Sequence, residues 1–343
     1  MYWPIDSSLK SSVSIHWIIS PEELLIELPI DDKIISNIAD WRITISSLIH
    51  GLDKRLLVIV GPCSIHDPVS AIEYASHVLR WREEFWNTLE IIMRTYWEKP
   101  RTTIGWKGFI NDPYLDGTHD IEHGLRIARK LLLDIAHMWI PTATEFLDPI
   151  VSLYLSDLIS WGAIGARTTE SQIHRELASG LPCPIGFKNS TDGSIRIAVD
   201  AMQSASCSHT VISVQKTRNL AITSTSGNPN VHVILRWSTK GINYDKSSIS
   251  EASEMAKKYN LPSRVMIDVS HQNSQKDYRK QIDGINTITE YIKNDDLSVL
   301  GVMIESHLLE WSQNYTPWKS TKEERSSFFI YSVIVFIPSI CFR

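Results

Sequence analysis

Eight side chains able to do chemistry each follow a short apolar stretch. Cys63 follows Leu56 to Gly61, Arg94 follows Glu90 to Met93, Glu145 follows Thr142 to Thr144, and Arg167 follows Ala163 to Ala166. Lys188 follows Pro184 to Phe187, Arg236 follows Val231 to Leu235, His271 follows Val265 to Val269, and Glu305 follows Val299 to Ile304. Taken singly, a thiol, an imidazole or a carboxylate in such a place is an ordinary packed or ion-paired group. Taken together, Cys63, His271 and Glu305 are a soft, a borderline and a hard donor. That mixture suits a divalent transition ion such as Mn, Fe, Co or Zn with a position left open for substrate. The four cations would repel one another at close quarters unless an anion joined them, so the companion ligand is multiply anionic.

A second cluster, Glu98-Lys99-Pro100-Arg101-Thr102-Thr103, sets two cations and two hydroxyls around a rigid proline. This composition suits gripping phosphate oxygens by charge-assisted hydrogen bonds. It opens a loop running to His119, too long for an ordinary connection and therefore read as functional.

Apolar strands that alternate with helical patterns imply βα units on a parallel sheet, and eight of them imply a closed (β/α)8 barrel with its chemistry at the strand ends. Asp67 and Pro68 mark the start of a helix with Ala71, Tyr74, Ala75, Val78 and Leu79 on one face. Asp120 caps a helix with Ile121, Leu125, Ala128, Leu132 and Ile135 on its stripe, and Thr169 with Gln172 reads as a capping box closed by Gly180. Val211 to Val214 and Leu220 to Thr223 read as an inserted hairpin. Residues 1–50 supply no strand and read as an arm for subunit contact and regulation, with a helix at Asp31 to Ile49. Residues 51–311 read as the barrel and 312–343 as a divergent tail with an atypical last barrel helix.

The 343 residues need no second core, and a formal net charge of −5 argues against a nucleic-acid partner. The four cysteines lack CxxC spacing and are too few for a disulfide framework. With no secretory leader and no spanning segment evident, the expected location is the cytoplasm, away from membranes.

The strings GPCSIHDP (61–68), EKPRTTIGWKG (98–108), WGAIGARTTESQ (161–172), GFKN (186–189) and VMIDVSH (265–271) resemble the type I 3-deoxy-D-arabino-heptulosonate 7-phosphate (DAHP) synthases, over roughly Asp53 to Trp311. The resemblance implies condensation of phosphoenolpyruvate with D-erythrose 4-phosphate on a metal-containing barrel, the first step of the shikimate pathway. By position it implies that Arg94, Lys99, Arg167, Lys188 and Arg236 grip phosphoenolpyruvate, and that Arg101 and Thr102 grip the aldose phosphate. Glu145 would order a water, and Cys63, His271 and Glu305 would be three of four metal ligands. The strings SPEEL (20–24) and PTATEFLD (141–148) look most like the tryptophan-sensitive isozyme, implying an aromatic amino-acid effector and a homo-oligomer.

Two departures stand out. No aspartate follows Trp311, so the family's fourth ligand has no counterpart, and Trp139, Ser190, Arg218, Trp237, Ser238 and Trp311 stand where glycine is expected. These departures motivate an alternative reading, a catalytically impaired homologue that binds a phosphosugar or partners a subunit. A related eight-carbon sugar acid synthase is disfavoured by the string Lys99-Pro100-Arg101-Thr102.

Overall fold

Strands buried on both faces by helices read as nearly continuous apolar runs, and here those runs close on themselves. The computed structural model describes residues 14–101, 103–239, 241–294 and 298–308. In chain order its elements are α1 (Pro21–Glu27), α2 (Asp32–Ile49), β1 (Leu56–Gly61), α3 (Pro68–Phe85), β2 (Leu89–Arg94), α4 (Ile121–His137), β3 (Thr142–Glu145), α5 (Pro149–Leu155) and β4 (Trp161–Ile164). They continue with α6 (Gln172–Gly180), β5 (Ile185–Lys188), α7 (Ile195–Ala205), β6 (Thr210–Val214), β7 (Leu220–Ser224), β8 (Val231–Leu235), α8 (Lys246–Lys258), β9 (Val265–Asp268), α9 (Lys280–Lys293) and β10 (Val299–Glu305). The barrel order is β1-β10-β9-β8-β5-β4-β3-β2, every pair parallel, and β6 with β7 forms a separate antiparallel hairpin. The α/β barrel and the inserted hairpin are therefore as expected.

Side-chain caps set the helix starts. Asp67 accepts from the Ser70 N–H at 2.8 Å with Pro68 in the first turn, Asp120 from His123 at 3.2 Å, and Asp148 from Ile150 at 2.7 Å. The capping box read at Thr169 and Gln172 does not form. The residue before α6 is Ser171, without a side-chain cap, while the Thr169 hydroxyl donates to the carbonyls of Gly165 and Lys188. The fourth barrel strand also lies earlier than read, ending at Ile164, because Gly165 already begins a turn whose carbonyl accepts from Thr168 and Thr169.

The helix α2 is more than part of an arm. Its Ile45, Leu48 and Ile49 form one buried cluster with Leu57, Ile59, Ile92, Ala143, Trp161, Ile234, Met266 and Met303 from the barrel strands, so α2 plugs the barrel floor. Among the described residues no helix is long and apolar enough to cross a membrane. Trp311 and the tail of residues 312–343 lie outside the described residues.

Candidate active site

With the floor plugged, the strand ends open on a cavity of about 480 Å³ at the other end. Cys63, Arg94, Lys99, Arg101, Glu145, Arg167, Lys188, Arg236, His271 and Glu305 all line it, while Thr102 lies outside the described residues. The convergence follows from parallel strands, which deliver every carboxyl end to one rim.

On one side of the cavity the donors meet. His271 takes a left-handed φ of 55° just past β9, and its Nε2 stands 3.3 Å from Glu305 Oε1. Its other nitrogen, Nδ1, is held by Ser270 Oγ at 2.8 Å and Asp268 Oδ2 at 3.2 Å, the carboxylate-backed arrangement that fixes a metal-ligating imidazole. Lys99 Nζ donates to Cys63 Sγ at 3.0 Å, and Arg94 Nη2 donates to Glu305 Oε1 at 3.0 Å. Burial, then the Glu305 charge, pushes the Cys63 thiol up, against the pull of Lys99 and Arg94. Burial would raise Glu305 too, yet His271 and Arg94 hold its carboxyl below the usual value. Among the described residues no three donors are grouped tightly enough to enclose an ion as they lie. The donor chemistry and the carboxylate behind His271 nevertheless fit a divalent transition ion.

The cationic side is built differently. Arg94, 2% exposed, lies over the Tyr96 ring with its guanidinium carbon 3.5 Å from the centroid. Lys188 Nζ pairs with Asp268 Oδ2 at 3.1 Å. Burial would raise Asp268, but the Lys188 and His271 charges and the Ser270 hydroxyl hold it well below the carboxylate range. Arg167 donates to the Pro100 carbonyl at 3.2 Å and Arg101 to the Trp106 carbonyl at 2.8 Å. Burial, and the Arg167 charge beside it, lower the Arg101 pKa, although Cys63 opposes them. Among the described residues no carboxylate pairs with Arg101, Arg167 or Arg236, so these guanidiniums await an anion.

The sequence reading gave no role to Tyr96, Glu98 or Asp268. Asp268 carried the same signal as its neighbours, a charge closing an apolar strand, but His271 drew the attention. The indole of Trp237 does not displace Arg236, which still lines the cavity. Three of the positions where glycine is expected carry a backbone that favours it: Trp139, Arg218 and Trp237 have φ of 62°, 70° and 148°.

Residues 29–329 match the model of the DAHP synthetase I family. The chain is 52% identical over 297 residues to the Phe-sensitive phospho-2-dehydro-3-deoxyheptonate aldolase of Escherichia coli (strain K12), covering 87% of this chain and 85% of that one. It is 50% identical over 296 residues to the Trp-sensitive enzyme of Enterobacter agglomerans, covering 86% and 85%. Overall identity thus sets both isozyme types at about the same distance. The solved phospho-2-dehydro-3-deoxyheptonate aldolase of Francisella tularensis SCHU S4 superposes with a TM-score of 0.88 at 48% identity, covering 91% of each chain. Matched along its length and carrying the strand-end residues in a single cavity, the chain belongs to the type I DAHP synthase family.

Proposed function

We propose that this chain condenses phosphoenolpyruvate with D-erythrose 4-phosphate and water to give DAHP and phosphate, the step that opens the shikimate pathway to aromatic amino acids. The observation that carries the reading is the single cavity holding ten of the side chains expected to bind and turn over these two anions. Arg94, Arg167, Lys188 and Arg236, with Lys99, neutralise the carboxylate and phosphate of phosphoenolpyruvate; Arg101 and Thr102 take the phosphate of the aldose. The vinyl carbon then forms its bond to the aldehyde carbon, water adds to the cationic carbon left behind, and phosphate departs. Glu145, on the cavity wall, orders that water. Enzymes of this family are metal-dependent. Cys63, His271 and Glu305 would hold the ion, which when bound supplies Lewis-acid polarisation of the aldehyde oxygen.

The catalytic unit is the barrel of residues 51–311 with its floor plugged by α2; the rest of residues 1–50 serves subunit contact and regulation, and 312–343 is a divergent tail. L-tryptophan is the expected inhibitor, the protein a cytoplasmic homo-oligomer; inhibition by phenylalanine or tyrosine instead would remove the tryptophan assignment. The deciding experiment follows loss of phosphoenolpyruvate in purified protein supplied with erythrose 4-phosphate and Mn. Turnover abolished by a chelator supports the synthase. Tight sugar-phosphate binding without turnover supports the impaired homologue, which the missing aspartate and the strained Trp237 favour.

A further inference from the structure

Behind the wall of the main cavity lies a second, much smaller space of about 10 Å³, close to what one water molecule needs. Glu98 and Glu145 line both spaces, so the two carboxylates form the partition between them. The Trp97 indole, 2% exposed, lines the small chamber, and its Nε1 has no hydrogen-bond partner among the described residues. A buried N–H left without an acceptor is costly, and a single water between it and the two carboxylates would satisfy it.

Glu98 is held firmly at this partition. Its Oε2 accepts the Asp148 backbone N–H at 3.3 Å, and its backbone bridges antiparallel to Gly108. Gly108 has a φ of 119°, and a side chain there would meet Trp97 O at 2.2 Å and Glu98 Cα at 2.6 Å, so only glycine lets the loop return this closely. The charged groups around Glu98 are anionic or committed elsewhere. Asp148 spends its carboxylate on the cap of α5, Glu145 lines the same chamber, Lys99 is on Cys63 and Arg101 on a carbonyl.

Resting on the condensation proposed above, we propose that Glu98 is a positioning residue that stores the proton lost when water adds to the phosphoenolpyruvate-derived carbon, receiving it from Glu145 through one chamber water. The proton count closes. The added water gives its oxygen to the new ketone, one proton to the hydroxyl formed from the aldehyde and one to the departing phosphate. Glu98 holds one of these between its release and its return. Burial, with the Asp148 and Glu145 charges added and the Asp148 N–H opposing, raises the Glu98 carboxyl to about 7, a basicity matched to such a store.

The test compares wild type with Glu98→Gln, which keeps the shape and the acceptor for Asp148 N–H, and with Trp97→Phe, which removes only the chamber donor. In wild type, kcat rises with pH through about 7; in Glu98→Gln it falls by about 10²-fold and loses that limb, with KM for both substrates within about threefold. Trp97→Phe lowers kcat by about tenfold in the same sense. Infrared difference spectra of the ligand-free proteins supply a readout independent of turnover: a protonated-carboxyl band titrating near pH 7 in wild type and missing in Glu98→Gln. If that band is unchanged in Glu98→Gln, or kcat and its pH profile survive the substitution, Glu98 stores no proton. Absence of turnover in wild type with the band present would overturn the condensation and leave the titrating carboxyl established.

Discussion

Two residues separate what is bound from what is merely buried. Cys63 is the one soft donor in the cavity, and Lys99 alone would not require a thiol there, since a carboxylate would pair with it better. Cys63→Ala is therefore expected to cut metal affinity by at least about 10²-fold and to purify with little bound metal while keeping its thermal midpoint. Metal content equal to wild type by elemental analysis would remove Cys63 from the ligand set. His232, on β8, is fully buried beside Trp161, 5.7 Å between ring centroids, and neither ring nitrogen has a partner among the described residues. Burial pushes its pKa down to about 3. The folded state keeps this imidazole neutral while the unfolded chain takes up a proton below about 6.5, so stability from this group is lost as pH falls through that value. By pH 5 the loss is about 2 kcal/mol, and it is absent in His232→Phe. Urea midpoints measured from pH 7 to 5 check this; parallel slopes for the two proteins would contradict it.

At the level of elements, β10 pairs β1 in continuous register from Leu57 opposite Gly301 to Gly61 opposite Glu305, and meets β9 through a register shift between Val299 and Gly301. A side chain at Gly301 would lie 1.8 Å from the Leu57 carbonyl oxygen, so Gly301→Ala must part β1 from β10. The expected cost is about 3 kcal/mol, read as a lower denaturant midpoint; an unchanged midpoint would show that the barrel seam tolerates spreading. Much of this layer was legible in the sequence. The strand-end charges, the caps at Asp67 and Asp120, and the hairpin pairing Ile212 with Ile222 follow from local rules. What the sequence hid depends on long-range packing. The helix α2 has the same period as any amphipathic helix, and only the closed barrel turns its Ile45, Leu48 and Ile49 into a floor. Glu98 reads as a charge beside a lysine until the fold brings it, with Trp97 and Glu145, onto the wall of a small chamber. Strand β4 was misplaced because Gly165 and Ala166 look as apolar as Trp161 to Ile164, and a turn cannot be told from a strand on polarity alone.

For the molecule as a whole, the hairpin β6-β7 leaves an apolar face in solvent, with Ile212, Leu220 and Ile222 exposed by 79%, 73% and 78%. An isolated two-stranded ribbon with such a face is marginal in water, and the homo-oligomer proposed above would cover it with a second copy of the chain. The double variant Ile212→Glu/Ile222→Glu is expected to sediment as a smaller species than wild type while keeping its folded far-UV spectrum; an unchanged mass would place the subunit contact elsewhere. The barrel beneath depends on none of this, since its floor is closed by α2 and its mouth is lined by its own strand ends. Everything claimed for function reduces to whether that mouth joins two anionic substrates with the help of a metal. The most direct measurement is the condensation of phosphoenolpyruvate with erythrose 4-phosphate by purified protein, before chelation, after it and after Mn is restored. DAHP formation is expected to disappear with the chelator and return with the metal. A folded, metal-loaded protein that binds both substrates and forms no DAHP would contradict it.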